Sequence, residues 1–353
     1  MRLLIVTQKV DKDDPVLGFF CRWILEFAAH CEHVDVICLW EGAHDFQSDR
    51  WCGSVKNVRV HSLGKERGIS KLKQLKRFRV FCRRLSSEAN GVFVHMNAIY
   101  VPLGWPWWGR GKKKVLLWRN HPQGGWLASL AYRLCGHVAY TSPDAHAARF
   151  PGAERMPAGI DTIRFRRNPA ISRKPGAFLY LGRISPIKRI EVIIEAARML
   201  YKTGAAFTLS IIGSPTNPSD AEYAQRLKQV SEDLIAQGVI AFHPAVAPDE
   251  AAHIFNAHPF FINATPLGSY DKTVLEAMAC ESLPIVTNRS FADVLAKELV
   301  SGDSAAELAE RMRHILMMPE SARAEIVKRA RDTVVATHTL LLLVRRVLAA
   351  LSP

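Results

Sequence analysis

Short runs of β-branched and other apolar residues alternate along this chain with stretches whose apolar positions recur every three to four residues. The runs read as strands at 2–7, 33–39, 57–62, 91–95, 114–119 and 137–141. A second series follows at 177–181, 207–212, 239–242, 259–263 and 284–287. Helical periodicity occupies Gly18 to Cys31 and Ile69 to Leu85, then about 189–202, 219–236, 249–256 and 271–280. From Ala305 onward the pattern is helical, closing on Leu340 to Leu351, whose apolar run is interrupted by Arg345 and Arg346. Strands and helices in alternation predict an α/β fold, with parallel sheets covered by helices on both faces. The turn-rich stretch Gly159 to Gly176, with Pro169 and Pro175, separates the two series. The expectation is therefore two doubly wound Rossmann-like domains, at 1–165 and 166–335. Ligands are expected beyond the carboxyl ends of the strands, in a central cleft. The segment 336–353 is expected to be a helix packing back on the N-terminal domain.

The 353 residues suffice for two domains, and a hydrophobic fraction of 48% suffices for two cores. No window approaches the length of apolar chain that spans a bilayer. The opening Met1 to Thr7 is too short an apolar run for a signal peptide and reads as a strand. The expected location is the cytoplasm, or the inner face of the cell membrane as a peripheral protein. The seven cysteines (Cys21, Cys31, Cys38, Cys52, Cys82, Cys135 and Cys280) are odd in number, scattered and without a Cys-x-x-Cys pair. That pattern describes buried free thiols, not a disulfide framework or a zinc site.

The net charge of +14 is uneven. Residues 1–165 hold 25 Lys and Arg against 14 Asp and Glu, and the remainder 22 against 19. Between Lys65 and Arg84 nine cations stand against one acid, Glu66, with Ile69, Leu72, Leu75 and Phe78 at three-residue spacing. A second cluster joins Trp105, Trp107 and Trp108 to Arg110, Lys112, Lys113 and Lys114. A basic amphipathic helix with interfacial aromatics fits docking to an anionic membrane. It equally fits a solvated basic face over an ordinary core.

Two strand-to-helix loops hold the candidate chemistry. In Leu179-Tyr180-Leu181-Gly182-Arg183-Ile184-Ser185-Pro186-Ile187-Lys188-Arg189, an apolar strand gives way to a helix start, with a guanidinium and an ammonium five residues apart. Two such cations suit the charge that develops on a diphosphate as a sugar departs; ordinary surface cations fit the loop as well. In Ala264-Thr265-Pro266-Leu267-Gly268-Ser269-Tyr270-Asp271-Lys272-Thr273-Val274-Leu275-Glu276, a buried strand enters a turn and Asp271 marks the start of a helix. Glu276 lies on a mostly apolar face and must find partners, either the paired hydroxyls of a ribose or backbone and an Arg.

Arg183 and Lys188, followed some ninety residues later by the turn and Glu276-Ala277-Met278-Ala279, then Leu283-Pro284-Ile285-Val286-Thr287, resemble glycosyltransferase family 4. The segment Ala158-Gly159-Ile160-Asp161 with Phe165 is similar to that family's interdomain crossing, and the resemblance covers about residues 155–290. It implies the GT-B fold, and a retaining, metal-independent glycosyltransferase that moves a sugar from a nucleotide diphosphate to an acceptor hydroxyl. Cell-surface polysaccharide or glycolipid synthesis is the expected setting. The N-terminal domain would bind a glycan or lipid-linked acceptor and the C-terminal domain the nucleotide sugar. Arg183 and Lys188 would hold the donor diphosphate, Glu276 the ribose, and Ser269, Thr273 and Val274 would line the same pocket. Gly213 would let the chain pass close to the base. Many members carry two glutamates eight positions apart; the first aligns with Gly268, so Asp271 is the candidate to contact the donor sugar instead. Gly18 is similar to a glycine whose backbone faces the diphosphate or acceptor, and a plain helix-start turn fits it equally. His121, in Trp118-Arg119-Asn120-His121-Pro122, resembles the family's cleft histidine, and His95 ends a strand in a comparable place.

No cofactor and no metal is expected. Asp11-Lys12-Asp13 has the form of a metal-binding pair but sits in a charged turn without acidic partners. A nucleotide-sugar epimerase or phosphorylase is the alternative within the same fold. A non-enzymatic nucleic-acid or membrane binder is the alternative outside it, although no familiar nucleic-acid motif is present.

Overall fold

A computed structural model describes residues 1–44, 46, 55–109, 111 and 113–352. The chain divides into two compact units, one made of Met1–Gly159 with Leu340–Pro353, the other of Ile160–Thr339. The dividing points thus fall at 159/160 and 339/340, where 165/166 and 335/336 were expected.

The first unit holds β1 (Arg2–Val10), β2 (His33–Glu41), β3 (Val58–Ser62), β4 (Gly91–His95), β5 (Lys114–Trp118), β6 (His137–Tyr140) and β7 (Glu154–Arg155). They form one parallel sheet in the order β3-β2-β1-β4-β5-β6-β7. Alternate residues of β1 serve opposite faces. Leu3 and Ile5 pack with α1 (Phe19–His30), whereas Leu4 and Val6 pack with α2 (Lys71–Leu85) and α3 (Tyr100–Trp108). α4 (Trp126–Leu134) lies on the same face as α3. The second unit holds β8 (Ala177–Leu181), β9 (Thr208–Ile212), β10 (Ile240–His243), β11 (Phe260–Asn263) and β12 (Leu283–Val286), all parallel, in the order β10-β9-β8-β11-β12. Its helices are α5 (Ile190–Lys202), α6 (Pro218–Val230), α7 (Glu232–Ala236), α8 (Ala251–Ala257), α9 (Lys272–Ala279), α10 (Ala305–Met317) and α11 (Glu320–Thr337). The last helix, α12 (Leu340–Leu351), buries Leu340, Leu343, Val344, Val347 and Leu351 in the core that α1 and β1 share. Among the described residues no helix is long and apolar enough to cross a membrane.

Several expectations need correction. The 219–236 stretch breaks into α6 and α7 at Ser231, whose hydroxyl bonds back to Leu227 O at 2.7 Å. α3 and α4 were not foreseen: nine residues each, one with Pro106 inside it. The basic helix begins at Lys71, not Ile69. Its buried residues are Phe78, Cys82 and Leu85, spaced i, i+4 and i+7, while Leu72 is 75% exposed. Three-residue spacing falls short of the helical turn by about 60° per step, so a series that reaches the core face at Phe78 starts off it, with Leu72 about 120° round the helix. Trp108 is not interfacial; it is fully buried, with Nε1 donating to Ser86 Oγ at 3.0 Å. Cys52, Arg110 and Lys112 lie outside the described residues.

Candidate functional site

In the second unit the strand order reverses direction between β8 and β11, which pair directly. The loops leaving their carboxyl ends are therefore neighbours, the position where doubly wound sheets bind ligands. Both loops singled out by sequence are these two.

The loop after β8 runs from Gly182 to Arg189. Tyr180, buried in the strand, donates its hydroxyl to Arg183 O at 2.8 Å. Arg183 Nε donates to Ser185 Oγ at 3.2 Å. The guanidinium is half-buried and makes no ion pair among the described residues. A half-buried guanidinium without a carboxylate suits an incoming anion. A one-turn 3-10 helix, Pro186–Lys188, then lifts Lys188.

Lys188 Nζ donates to Asp271 Oδ2 at 2.7 Å, with side chains 17% and 15% exposed. The same oxygen accepts Asn263 Nδ2 at 2.8 Å and Thr265 Oγ1 at 2.7 Å; Ser269 Oγ donates to Oδ1 at 2.9 Å. Burial opposes ionisation of Asp271, but the Lys188 charge and these hydrogen bonds overcome it and hold the carboxyl at about 2. Sequence assigned Asp271 to the donor sugar. With four donors on its oxygens, it anchors Lys188 and the 264–271 turn. Asn288 Nδ2 ties that turn down from the other side, donating to Pro266 O at 3.1 Å and Ser269 O at 2.5 Å. Asn263, Thr265 and Asn288 were missed, although a polar residue closing an otherwise apolar strand is a legible signal.

Asp271 is the N-cap residue of α9, yet its side chain makes no cap bond, so the Thr273 amide in the first turn stays open to an anion. Glu276 is half-buried on α9, one turn beyond Lys272. Burial raises the Glu276 carboxyl above its ordinary range, and the charges of Lys272 and Arg164 partly offset that; burial lowers the Lys272 ammonium. Arg164, which also pairs with Asp249 at 2.9 Å, follows the Gly-Ile-Asp motif, where Asp161 Oδ1 accepts Arg164 N and Phe165 packs edge-on against Phe255. Thr273 is half-buried. The Val274 side chain is fully buried and belongs to the core, which leaves only its backbone for a ligand.

Gly213 ends β9. A Cβ there would lie 1.9 Å from Gly182 O, so the close approach this glycine permits is to the β8 loop of its own sheet. Its assigned place beside a base is not what requires glycine.

In the first unit the strand order reverses between β1 and β4. His95 closes β4, but it is core: 1% exposed, stacked on Phe20 and Trp118, and bonded to Thr7 Oγ1 at 3.1 Å. Gly18 precedes α1 with its N–H donated to Asp14 O at 2.9 Å; a Cβ would meet Asp14 O at 2.6 Å and Lys12 O at 2.7 Å. Tight closure of the helix-start turn accounts for this glycine. His121 is exposed after β5, its Nδ1 accepting Gln123 N–H at 3.0 Å, and Nε2 makes no hydrogen bond among the described residues. Asp11 sits 3.5 Å from Lys9 and accepts the Asp13 N–H, a charged turn as expected. Among the described residues no three His, Cys, Asp or Glu side chains cluster as metal ligands.

Comparison with known proteins bears on the fold and the family. Curated relatives include D-inositol 3-phosphate glycosyltransferases from Frankia alni (25% identical over 169 residues, 45% of this chain and 41% of the relative) and Paenarthrobacter aurescens (28% over 174 residues, 45% and 42%). Another is alpha-monoglucosyldiacylglycerol synthase from Streptococcus pneumoniae (26% over 161 residues, 42% and 35%). The chain thus spans less than half the length of these relatives. Among solved structures, Anabaena Alr3699/HepE in complex with UDP superposes with a TM-score of 0.77 at 13% identity, covering 99% of both chains. Sucrose-phosphate synthase from Thermosynechococcus elongatus gives 0.72 at 17%, covering 98% of this chain and 99% of its own. These likenesses establish the two-domain GT-B fold. Residues 161–333, nearly the whole of the second unit, match the family described as Glycosyl transferases group 1.

Proposed function

We propose that this protein is a retaining, metal-independent glycosyltransferase that takes its sugar from a nucleotide diphosphate held by the second unit. The observation that carries the reading is Arg183. It is a half-buried guanidinium with no acidic partner among the described residues, on the loop beside the strand-order reversal, with Lys188 on the same loop and the uncapped start of α9 on the next. These groups suit two phosphates. As the bond from sugar C1 to the phosphate oxygen breaks, its electron pair leaves with the nucleoside diphosphate, and Arg183 and Lys188 stabilise that charge. The acceptor oxygen bonds to C1 on the face the phosphate leaves, and its proton passes to the departing phosphate oxygen. Glu276 is the group for the ribose hydroxyls. The first unit is assigned to the acceptor, with His121 Nε2 as the ring nitrogen that positions its hydroxyl. A glycan or lipid-linked acceptor at the inner membrane face, in polysaccharide or glycolipid synthesis, is supported by the kinship with a diacylglycerol-glycosylating enzyme.

The test is calorimetric binding of UDP together with acceptor-free turnover of UDP-glucose, measured with and without EDTA. Arg183→Ala should lower turnover by about 10²–10³-fold, as loss of one oxyanion-stabilising donor does, and leave the melting temperature unchanged. Wild-type affinity and turnover in that variant would refute the reading, and loss of turnover in EDTA would refute the metal-independent step.

A further inference from the structure

We propose that the outward face of α2, continued by α3, is a docking surface for an anionic lipid bilayer. This inference is independent of the transferase reading. Leu72, Lys76, Arg79, Val80 and Arg83 fall at i, i+4, i+7, i+8 and i+11, a single stripe along α2, and all five are exposed. Lys73 and Arg84 flank the stripe and are exposed as well. The opposite stripe, Phe78, Cys82 and Leu85, fixes the helix to the core, so the basic face points away from it.

None of the cations on α2 makes an ion pair among the described residues. The nearby acids are engaged elsewhere, Glu66 with Ser62 and Arg67, and Glu88 with Arg2. The Arg79 guanidinium lies over the Trp107 ring, 6.0 Å from its centre, which joins the two basic and aromatic clusters seen in the sequence into one surface. Trp105, 38% exposed, extends it. Charge alone would suit any polyanion. The aliphatic residues decide between them: Leu72 is 75% exposed and Val80 62% exposed, both in the middle of the cations. A phosphodiester backbone gives such side chains nothing to bury against, whereas the boundary between headgroups and acyl chains does. The helix, about 22 Å long at 1.5 Å per residue, would lie in the plane of that boundary with its lysine and arginine heads among the phosphates.

The experiment is sedimentation of the full chain with vesicles of phosphatidylcholine, and of phosphatidylcholine with about 40% phosphatidylglycerol, at low and high salt. Binding should require phosphatidylglycerol and weaken with salt. Each cation removed should cost about fivefold in partitioning, so Lys76→Gln with Arg79→Gln and Arg83→Gln should weaken binding on the order of 100-fold, with calorimetric UDP binding unchanged. Leu72→Ser with Val80→Ser, which keeps the charge, should also lose several-fold, and it tests the proposal even if the triple variant folds poorly. Three results would overturn it: equal binding to pure phosphatidylcholine, undiminished binding by the aliphatic variant, or tighter binding to single-stranded RNA than to the anionic vesicles at the same salt.

Discussion

The substitution Asp271→Asn tests whether the Lys188 ion pair is what the second unit is built around. The carboxyl sits at about 2 where 3.8 is ordinary, and that difference corresponds to about 2 kcal/mol of folding free energy at pH 7. The sign follows from a depressed acid: the stabilisation is complete above pH 3.8 and is lost as pH falls through about 2. The amide group that the substitution introduces would also turn a donor toward Lys188, Asn263 and Thr265, which now all donate to Oδ2. For a unit of this size about 2 kcal/mol is a fall of roughly 4–8 °C in melting temperature. Differential scanning calorimetry at pH 7, repeated stepwise towards pH 2, measures it. The gap between wild type and variant should be widest at neutral pH and close in acid. The same substitution removes a negative charge that competes with a diphosphate for Lys188, so UDP should bind about fivefold more tightly, from ~1 kcal/mol of screened repulsion. A variant as stable as wild type at pH 7, or a gap that does not narrow in acid, would refute the ion-pair account.

Two further outcomes follow from packing. Gly213→Ala should destabilise the second unit by about 3 kcal/mol, because its Cβ meets the Gly182 carbonyl at 1.9 Å and backbone must move; chemical denaturation with UDP titration should show stability and affinity falling together. Burial pushes the thiols of Cys21, Cys135 and Cys280 up to about 12 and that of Cys31 to about 11, so iodoacetamide at pH 8 should leave them unmodified in the native protein and alkylate them in urea, as peptide mass spectrometry would report.

What periodicity could reveal was the series of strands and the two loops, because a buried parallel strand is an apolar run that ends where its loop begins. Arg183 and Lys188 were legible for that reason, each being a cation in the few residues between an apolar strand and a helix. α3 and α4 were not legible, since nine residues give only about two and a half turns of periodicity and Pro106 with Gly104 reads as a turn. The exposure of Leu72 was not legible either, because apolar residues counted in threes along a helix that repeats every 3.6 residues share no single face, and the count does not say which of them meets the core.

The role of Asp271 was beyond such reading for a different reason. Its partner lies 83 residues away, and nothing in local pattern says which strands of a sheet are neighbours. That pairing is decided by crossover handedness and by which apolar faces must be covered, and the outcome, β8 beside β11, is what brings the two loops together. The same adjacency explains Gly213, whose missing side chain makes room for the β8 loop, and Asn288, which reaches back to tie the β11 loop. Asp271 holds a cation directly, whereas Gly213 and Asn288 hold the two loops in place. The phosphate site proposed for Arg183 and Lys188 would therefore depend on sheet order first and on the charges second, and a change that keeps both cations but shifts the Gly182 carbonyl should weaken UDP binding as removing one of them does.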